Sequence, residues 1–226
     1  MVAKILSSAQ AGLLLVILCL VVLLTLLAGS HPDRITGEPV NNFLNSYTLI
    51  QTATDASFFA IMAVGATIVI ISGGIDLSVG SIYALAGVMT AMALRAYAPE
   101  SSLATALSGL GVSIGVGVAC GLLNGLMVVG LRVHPFIITL GTMWILRGIA
   151  FVASEAQSIG LPAALTAIAK APLGLRESLY PVPTLVMLAV TAAGAVYLRE
   201  TVMGRHVFAI GGNPEASRFA VKRALA

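Results

Sequence analysis

The segment Ile71 to Ser81 reads ISGGIDLSVGS, placing one carboxylate, Asp76, between a glycine pair and a serine with long apolar runs on either side. A charge at the centre of a bilayer costs about 2.5–3.5 kcal/mol on insertion scales, so an ionisable group at membrane depth marks a functional candidate. Gly73 and Gly74 interrupt the helical pattern, Asp76 has the chemistry to accept from backbone N–H groups at the next helix start, and Ser78 offers a second cap. Two readings follow. Asp76 is either an N-cap at a cytoplasmic-side turn or a group lining a translocation path, because non-helical backbone at membrane depth is tolerated where it lines a cavity. Arg147, in TMWILRGIAF, lies about eleven residues, roughly 16 Å, into another apolar run. It is expected to act as an intramembrane structural charge, partnered inside the bundle by carbonyl groups or a carboxylate, with Asp76 one option. Asn124 and Asp55 are weaker path candidates, since each also fits an interhelical hydrogen bond.

Other chemistry finds little support. The spelling GVSIG at Gly111 to Gly115 matches a nucleophile elbow, but that motif needs a strand-to-helix turn with a partnered acid and histidine. The stretch from Gly115 to Cys120 lacks the third glycine of a dinucleotide fingerprint, and neither a Walker A sequence nor HExxH occurs. Cys19 and Cys120 both fall in apolar segments and read as packing residues, with no metal site or disulfide framework implied. No basic run is interleaved with aromatics, so nucleic acid is not an expected partner. The expectation is a chain without a cofactor and without a catalytic centre of its own.

The elements that position these residues follow from composition. The chain has 226 residues, of which 58% are apolar and 9% charged, with a mean hydropathy of +1.02. A soluble domain carries about 25% charged residues, so the pattern predicts a membrane protein. A helix crossing the roughly 30 Å hydrocarbon core needs about 20 apolar residues and satisfies its own backbone, which predicts an all-α, polytopic helical bundle. Hydropathy places spans near 12–29, 57–75, 79–98, 103–131, 136–153 and 182–198. The run from Gly12 to Ala28, at about 17 residues, exceeds a signal-peptide core and is read as a retained first helix. The fourth span exceeds one crossing and must tilt or extend. Its glycines, Gly109, Gly111, Gly115, Gly117, Gly121 and Gly125, suit close helix packing.

Six crossings return the chain to its starting side. With the N-terminus inside, that side holds seven cations (Lys4, Arg132, Arg199, Arg205, Arg218, Lys222, Arg223) against four opposite (Arg34, Arg95, Lys170, Arg176). Positive residues favour the cytoplasmic side, so both ends are predicted there. After the last span, Gly211 and Gly212 permit a reversal, Asn213 is a good N-cap, Pro214 fits the first helical position and Glu215 complements the positive helix end. A short cytoplasmic helix is expected to begin at Asn213. The organisation is then a transmembrane part over 1–198 and a cytoplasmic segment over 199–226.

Three blocks, AVGATIVIISGGIDLSVGS, HPFIITLGTMWILRGIAFV and TVMGRHVFAIGGNPEASR, occurring in this order, resemble the permease subunits of bacterial ATP-binding-cassette importers for ribose, xylose, galactose and related sugars. The wider superfamily also holds branched-chain amino-acid permeases, whereas the GGIDLSVG and GRHVFAIGGNPEAS wording looks like the sugar branch. The resemblance implies the N-terminal part of a type II, vitamin-B12-importer-like permease. It also implies a cytoplasmic ATP-binding subunit, a periplasmic sugar-binding protein and a second permease copy as partners in the bacterial inner membrane. A short coupling helix would seat on the ATPase, which assigns Gly204, Arg205, Gly211, Gly212, Asn213, Pro214, Glu215 and Ala216 to coupling. Gly73, Gly74, Asp76, Ser78 and Asn124 remain the path candidates. Family permeases continue into further spans beyond this point, so truncation or completion by a second polypeptide is expected. The rival readings are an ion-coupled secondary transporter in which Asp76 carries a proton, a branched-chain amino-acid permease, and a non-transporting fragment.

Overall fold

A computed structural model describes residues 9–33, 37–97, 101–171 and 181–217. Lys4, Arg34, Arg176, Arg218, Lys222 and Arg223, used in the charge argument, lie outside these residues. The described chain is helical apart from one hairpin, in the order α1 (Ala9–Leu27), β1 (Ser30–Pro32), β2 (Pro39–Asn41), α2 (Ser46–Ile71), α3 (Val79–Tyr97), α4 (Ser102–Leu131), α5 (Pro135–Ala153), α6 (Ala163–Ala169), α7 (Val182–Glu200) and α8 (Val202–Gly212). Five of these, α2, α3, α4, α5 and α7, are long and apolar enough to cross a membrane. The first helix is equally apolar, and its side chains from Leu13 to Leu27 are largely exposed. A helix apolar on every face has no solvent side and belongs in lipid or against other membrane helices.

The hairpin that follows α1 was not anticipated. Its strands pair antiparallel with His31 opposite Val40. Asn41 and Asn42 then tie it back to α1, donating through Nδ2 to Thr25 O over 2.8 Å and Ala28 O over 2.6 Å. The second span starts earlier than its hydropathy indicates. Asn45 caps α2 by accepting from Thr48 N over 2.8 Å, so the polar turn through Gln51 and Asp55 is helical and the element runs 26 residues. At 1.5 Å per residue that is about 39 Å, more than the hydrocarbon core. The fourth span is longer again at 30 residues, as its sequence predicts.

Two packing groups share the bundle. Helices α3, α4 and α5 pack together, and α6 leans on α4; α2 packs on α7, with α8 against both. The centre of the first group is apolar, with Leu85 from α3, Cys120 from α4, and Leu146 and Ala150 from α5. The glycines of α4 divide into two kinds. Gly109 is buried where a methyl group would meet Leu94, Thr90 and Leu165 at 3.4–3.6 Å. Around Gly111, Gly115, Gly117, Gly121 and Gly125 a methyl group would meet nothing within 4 Å. Dense packing within this chain therefore accounts for Gly109 and not for the other five.

Candidate functional site

The α2–α3 break is built by the glycine pair. Gly73 takes a left-handed φ of +84°, and its N–H donates to Ile70 O over 2.9 Å while that of Gly74 reaches back to Val69 O over 2.9 Å. This is a Schellman closure, in which a residue without Cβ supplies the left-handed turn and the last carbonyls are satisfied. Gly74 has its own constraint, since a methyl group there would lie 3.1 Å from Val69 Cγ1.

Beyond the break the chain turns inward. Ser78 donates through both its N–H (2.7 Å) and its hydroxyl (2.6 Å) to Asp76 Oδ1. Asn124 Nδ2 on α4 donates to Ser78 Oγ over 2.8 Å. From α5, the Thr139 hydroxyl lies 3.2 Å from Ile75 O and 2.9 Å from Pro135 O, sharing its proton between them. Two helices, α4 and α5, thus hold one short non-helical segment. Hydrogen bonds to an ionised carboxylate are shorter and stronger than neutral ones, so Asp76 fixes the orientation of Ser78. Asp76 accepts near the next helix start, as its type predicts. The hydroxyl of Ser78, however, does not cap α3; it is drawn sideways into the link between Asp76 and Asn124.

The site is buried on its inner side. Ser78 is 0% exposed, Ser81 1% and Asn124 5%, with Thr139 and Thr142 also buried. Two atoms of this cluster, Asn124 Oδ1 and Ser81 Oγ, have no hydrogen-bond partner among the described residues. One is an acceptor and the other a hydroxyl, so they are complementary. The cluster forms the polar end of the core whose apolar continuation is Leu85, Cys120 and Leu146. No group of three metal-ligating side chains occurs among the described residues, and the hydroxyl, amide and carboxylate groups present suit hydrogen bonding to a polar solute.

The segment after α7 has a shape the sequence did not reveal. A full helix, α8, precedes Asn213, and Gly211 and Gly212 end that helix instead of forming a reversal. Thr201 caps it by accepting from Gly204 N over 3.0 Å. Gly204 is buried at the α7–α8 corner, where a Cβ would collide with the carbonyls of Tyr197 and Leu198. Asn213 behaves as predicted, accepting from Ala216 N over 3.0 Å to start the next turn with Pro214 in its first position. Arg205, Gly212, Asn213, Pro214, Glu215 and Ala216 are all exposed, beside the exposed apolar side chains of Met203, Phe208 and Ile210.

Gly211 joins the two regions. Its Cα faces the end of α2 so closely that a Cβ would overlap Ile71 O and sit 2.8 Å from Ile71 C, and a Cβ on Gly73 would lie 4.0 Å from Gly211 Cα. The path candidate Gly73 and the coupling candidate Gly211, far apart in the chain, therefore meet at one end of the bundle. Sequence patterning contains no sign of that contact beyond the presence of glycine on both sides.

Arg147 does not find the expected partner within the described residues. It is exposed on α5, and among the described residues it has no ion pair or hydrogen bond; Asp76 is engaged with Ser78 instead. The helix turns Thr142, Leu146 and Ala150 inward, and residue 147 lies about 100° round from 146, away from that core. Asp55 is likewise on the surface, accepting from Gln51 Nε2 over 3.1 Å within its own helix, which leaves it outside the site. Cys120 packs in the core and Cys19 is exposed on α1.

A family model described as branched-chain amino acid transport system / permease component matches residues 48–223. The inner membrane ABC transporter permease protein YjfF of Escherichia coli is 39% identical over 175 residues, 76% of this chain and 50% of that protein. The ribose import permease protein RbsC of the same organism is 33% identical over 205 residues, covering 90% of this chain and 59% of that one. The D-allose transport system permease protein AlsC, also of Escherichia coli, is 34% identical over 180 residues, 79% and 52% of the two chains. The chain thus spans between half and three-fifths of the length of these relatives. No solved structure matches it.

Proposed function

The chain belongs to the branched-chain amino acid transport system / permease component family, and from that membership we propose that it is a permease subunit of a binding-protein-dependent importer carrying a small sugar across the bacterial inner membrane. Membership in this family and five membrane-length helices make it a multi-pass membrane protein. ATP is hydrolysed on partner subunits, and no bond of the sugar changes. The observation that carries the sugar reading is the agreement of relatives named for ribose and allose import across three-quarters or more of this chain.

The partners are a cytoplasmic ATP-binding subunit, a periplasmic sugar-binding protein and a second permease copy. The exposed face of α8 and the turn after Asn213 form the coupling surface, with Met203, Phe208 and Ile210 as apolar anchors. A stiff helix seated on a moving neighbour transmits a rigid-body displacement to the spans. The N-terminus is assigned to the cytoplasm, which also places α8 and the α2–α3 break on that side. A weakly attracting path suits such a carrier, because conduction requires release as well as entry.

The test is uptake of radiolabelled D-ribose and D-allose into proteoliposomes holding the permease, its ATP-binding subunit and binding protein. Uptake that needs ATP and the binding protein is the expected result. Uptake that collapses with an uncoupler and ignores ATP would transfer the assignment to an ion-coupled carrier.

A further inference from the structure

We propose that Gly211 and the α2–α3 break form the mechanical joint of the transport cycle, in which the end of α8 bears on the Ile71 carbonyl and the Asp76–Ser78–Asn124 hydrogen bonds pass the displacement to α4. The inference rests on the coupling role given above to α8 and names the residues that receive its movement.

The input end is backbone against backbone. A Cβ on Gly211 would overlap Ile71 O, so no side chain cushions the contact. Glycine is the residue that permits such close approach. The same carbonyl end of α2 is the one closed by Gly73 and Gly74. Movement of α8 therefore reaches Ser72–Ser78 directly, at a segment with no helical ladder of its own to resist it.

The output end is a short chain of donors. Asn124 donates to Ser78 Oγ over 2.8 Å, and Ser78 donates to Asp76 Oδ1 over 2.6 Å. Both Ser78 and Asn124 are buried, so the link is not exchanged freely for water. Thr139 holds the same segment from α5. A shift of the break is thus communicated to both helices that pack on α3.

A joint needs a second resting position, and the unpaired atoms supply one. Ser81 follows Ser78 by three residues, which puts the two on one face of α3. Among the described residues Ser81 Oγ and Asn124 Oδ1 both lack partners. A small shift of α3 against α4 that keeps Asn124 Nδ2 on Ser78 Oγ lets Ser81 O–H donate to Asn124 Oδ1, so the displaced state adds a hydrogen bond that the present one leaves unmade. Packed elements of this kind are bistable, which allows a small push to select between two arrangements.

Cys120, buried one turn from Asn124 on α4, reports the opening of this interface. The experiment uses the full chain coexpressed with its ATP-binding subunit in native membranes, carries Cys19→Ser to remove the exposed thiol, and measures labelling of Cys120 by N-ethylmaleimide. Gly211→Ala is expected to raise the labelling rate on the order of tenfold, because a strained joint populates the open interface more. Gly65→Ala, on α2 outside the coupling surface and where a methyl group meets nothing within 4 Å, is expected to match the parent. ATP with vanadate is expected to change labelling in the parent and not in Ser81→Ala, which loses no hydrogen bond in the described state. Equal labelling of Gly211→Ala and Gly65→Ala overturns the proposal. If Gly211→Ala fails to accumulate, an equal nucleotide response in the parent and Ser81→Ala overturns it. Loss of copurification between the parent chain and the ATP-binding subunit instead defeats the permease reading, and the Gly211 and Gly65 comparison reads independently of it.

Discussion

Asn124 and Ser78, 46 positions apart, meet through an Nδ2–H···Oγ hydrogen bond of 2.8 Å that fastens the start of α3 to α4. Ser78 is at once acceptor for this amide and donor to Asp76 Oδ1, so a single oxygen bonds both an interhelical amide and a carboxylate. The residue at the helix N-terminus is thereby committed to tertiary structure, and the carboxylate to orienting it.

Replacing Asp76 separates its charge from its geometry. Asp76→Asn keeps an Oδ1 in position to accept both bonds from Ser78, whereas Asp76→Ala leaves a buried hydroxyl and an N–H to find new partners. Losing hydrogen bonds to a charged group costs about 1.5–3 kcal/mol. The expected outcome is a clear fall in the thermal unfolding midpoint of the detergent-purified Ala variant and a small one for Asn. Sugar uptake should survive in Asp76→Asn; its loss at an unchanged midpoint would assign the negative charge itself to transport and restore the proton-carrier reading.

At position 124 the sign of the added group matters. Asn124→Leu removes one interhelical hydrogen bond, worth on average about 0.6 kcal/mol in a membrane bundle, and also removes the unpaired Oδ1. Asn124→Asp brings a second carboxylate to the Ser78 oxygen that already serves Asp76, and two carboxylates sharing a site resist joint ionisation. Midpoints measured side by side should fall only slightly for Leu and much further for Asp. An Asp variant as stable as the parent would mean that Asp76 does not reach this cluster.

The parts legible in the sequence are those set by local pattern. Apolar runs marked the spans, and Gly73, Gly74 and Asp76 marked the break, because helix interruption and capping depend on residues a few positions apart. Three other features depend on tertiary partners. Nothing near Ser78 indicates that its hydroxyl serves Asn124 rather than its own helix. Helix α8 carries Gly204, Gly211 and Gly212, which propensity alone assigns to a loop, since glycine costs about 1 kcal/mol relative to alanine in a helix. It forms because Thr201 caps it and because α2 and α7 pack against it. The outward direction of Arg147 depends on which stripe of α5 meets α3, and that stripe, Thr142, Leu146 and Ala150, is no more apolar than the opposite face.

The corner between α7 and α8 should be intolerant of a single methyl group. Gly204→Ala drives a Cβ into the backbone carbonyls of Tyr197 and Leu198, which cannot rotate away as a flexible side chain could. Overpacking of this kind costs about 1–3 kcal/mol or more. Gly212→Ala, in open space one residue from the joint, should be neutral or slightly stabilising through helix propensity. Size-exclusion profiles after graded heating compare the two, and a Gly204→Ala protein that survives as well as Gly212→Ala would show the corner to be looser than described.

Arg147 provides the sharpest separation between stability of the chain and stability of the assembly. Its guanidinium is exposed on α5 without a partner among the described residues, yet it lies well inside a 19-residue apolar helix where a lipid-facing charge is costly. Its counterpart is therefore expected on a neighbouring polypeptide segment, and the residue acts in association. Arg147→Leu should change the unfolding midpoint of the isolated chain by no more than about 0.5 kcal/mol equivalent, as for an exposed site. The same substitution should lower recovery of the assembled complex several-fold in copurification, because a buried charge on the partner is left uncompensated. Arg147→Lys retains charge but not the planar five-donor fork, so it should recover assembly only in part. A Leu variant that assembles normally while losing uptake would instead place Arg147 on the solute path.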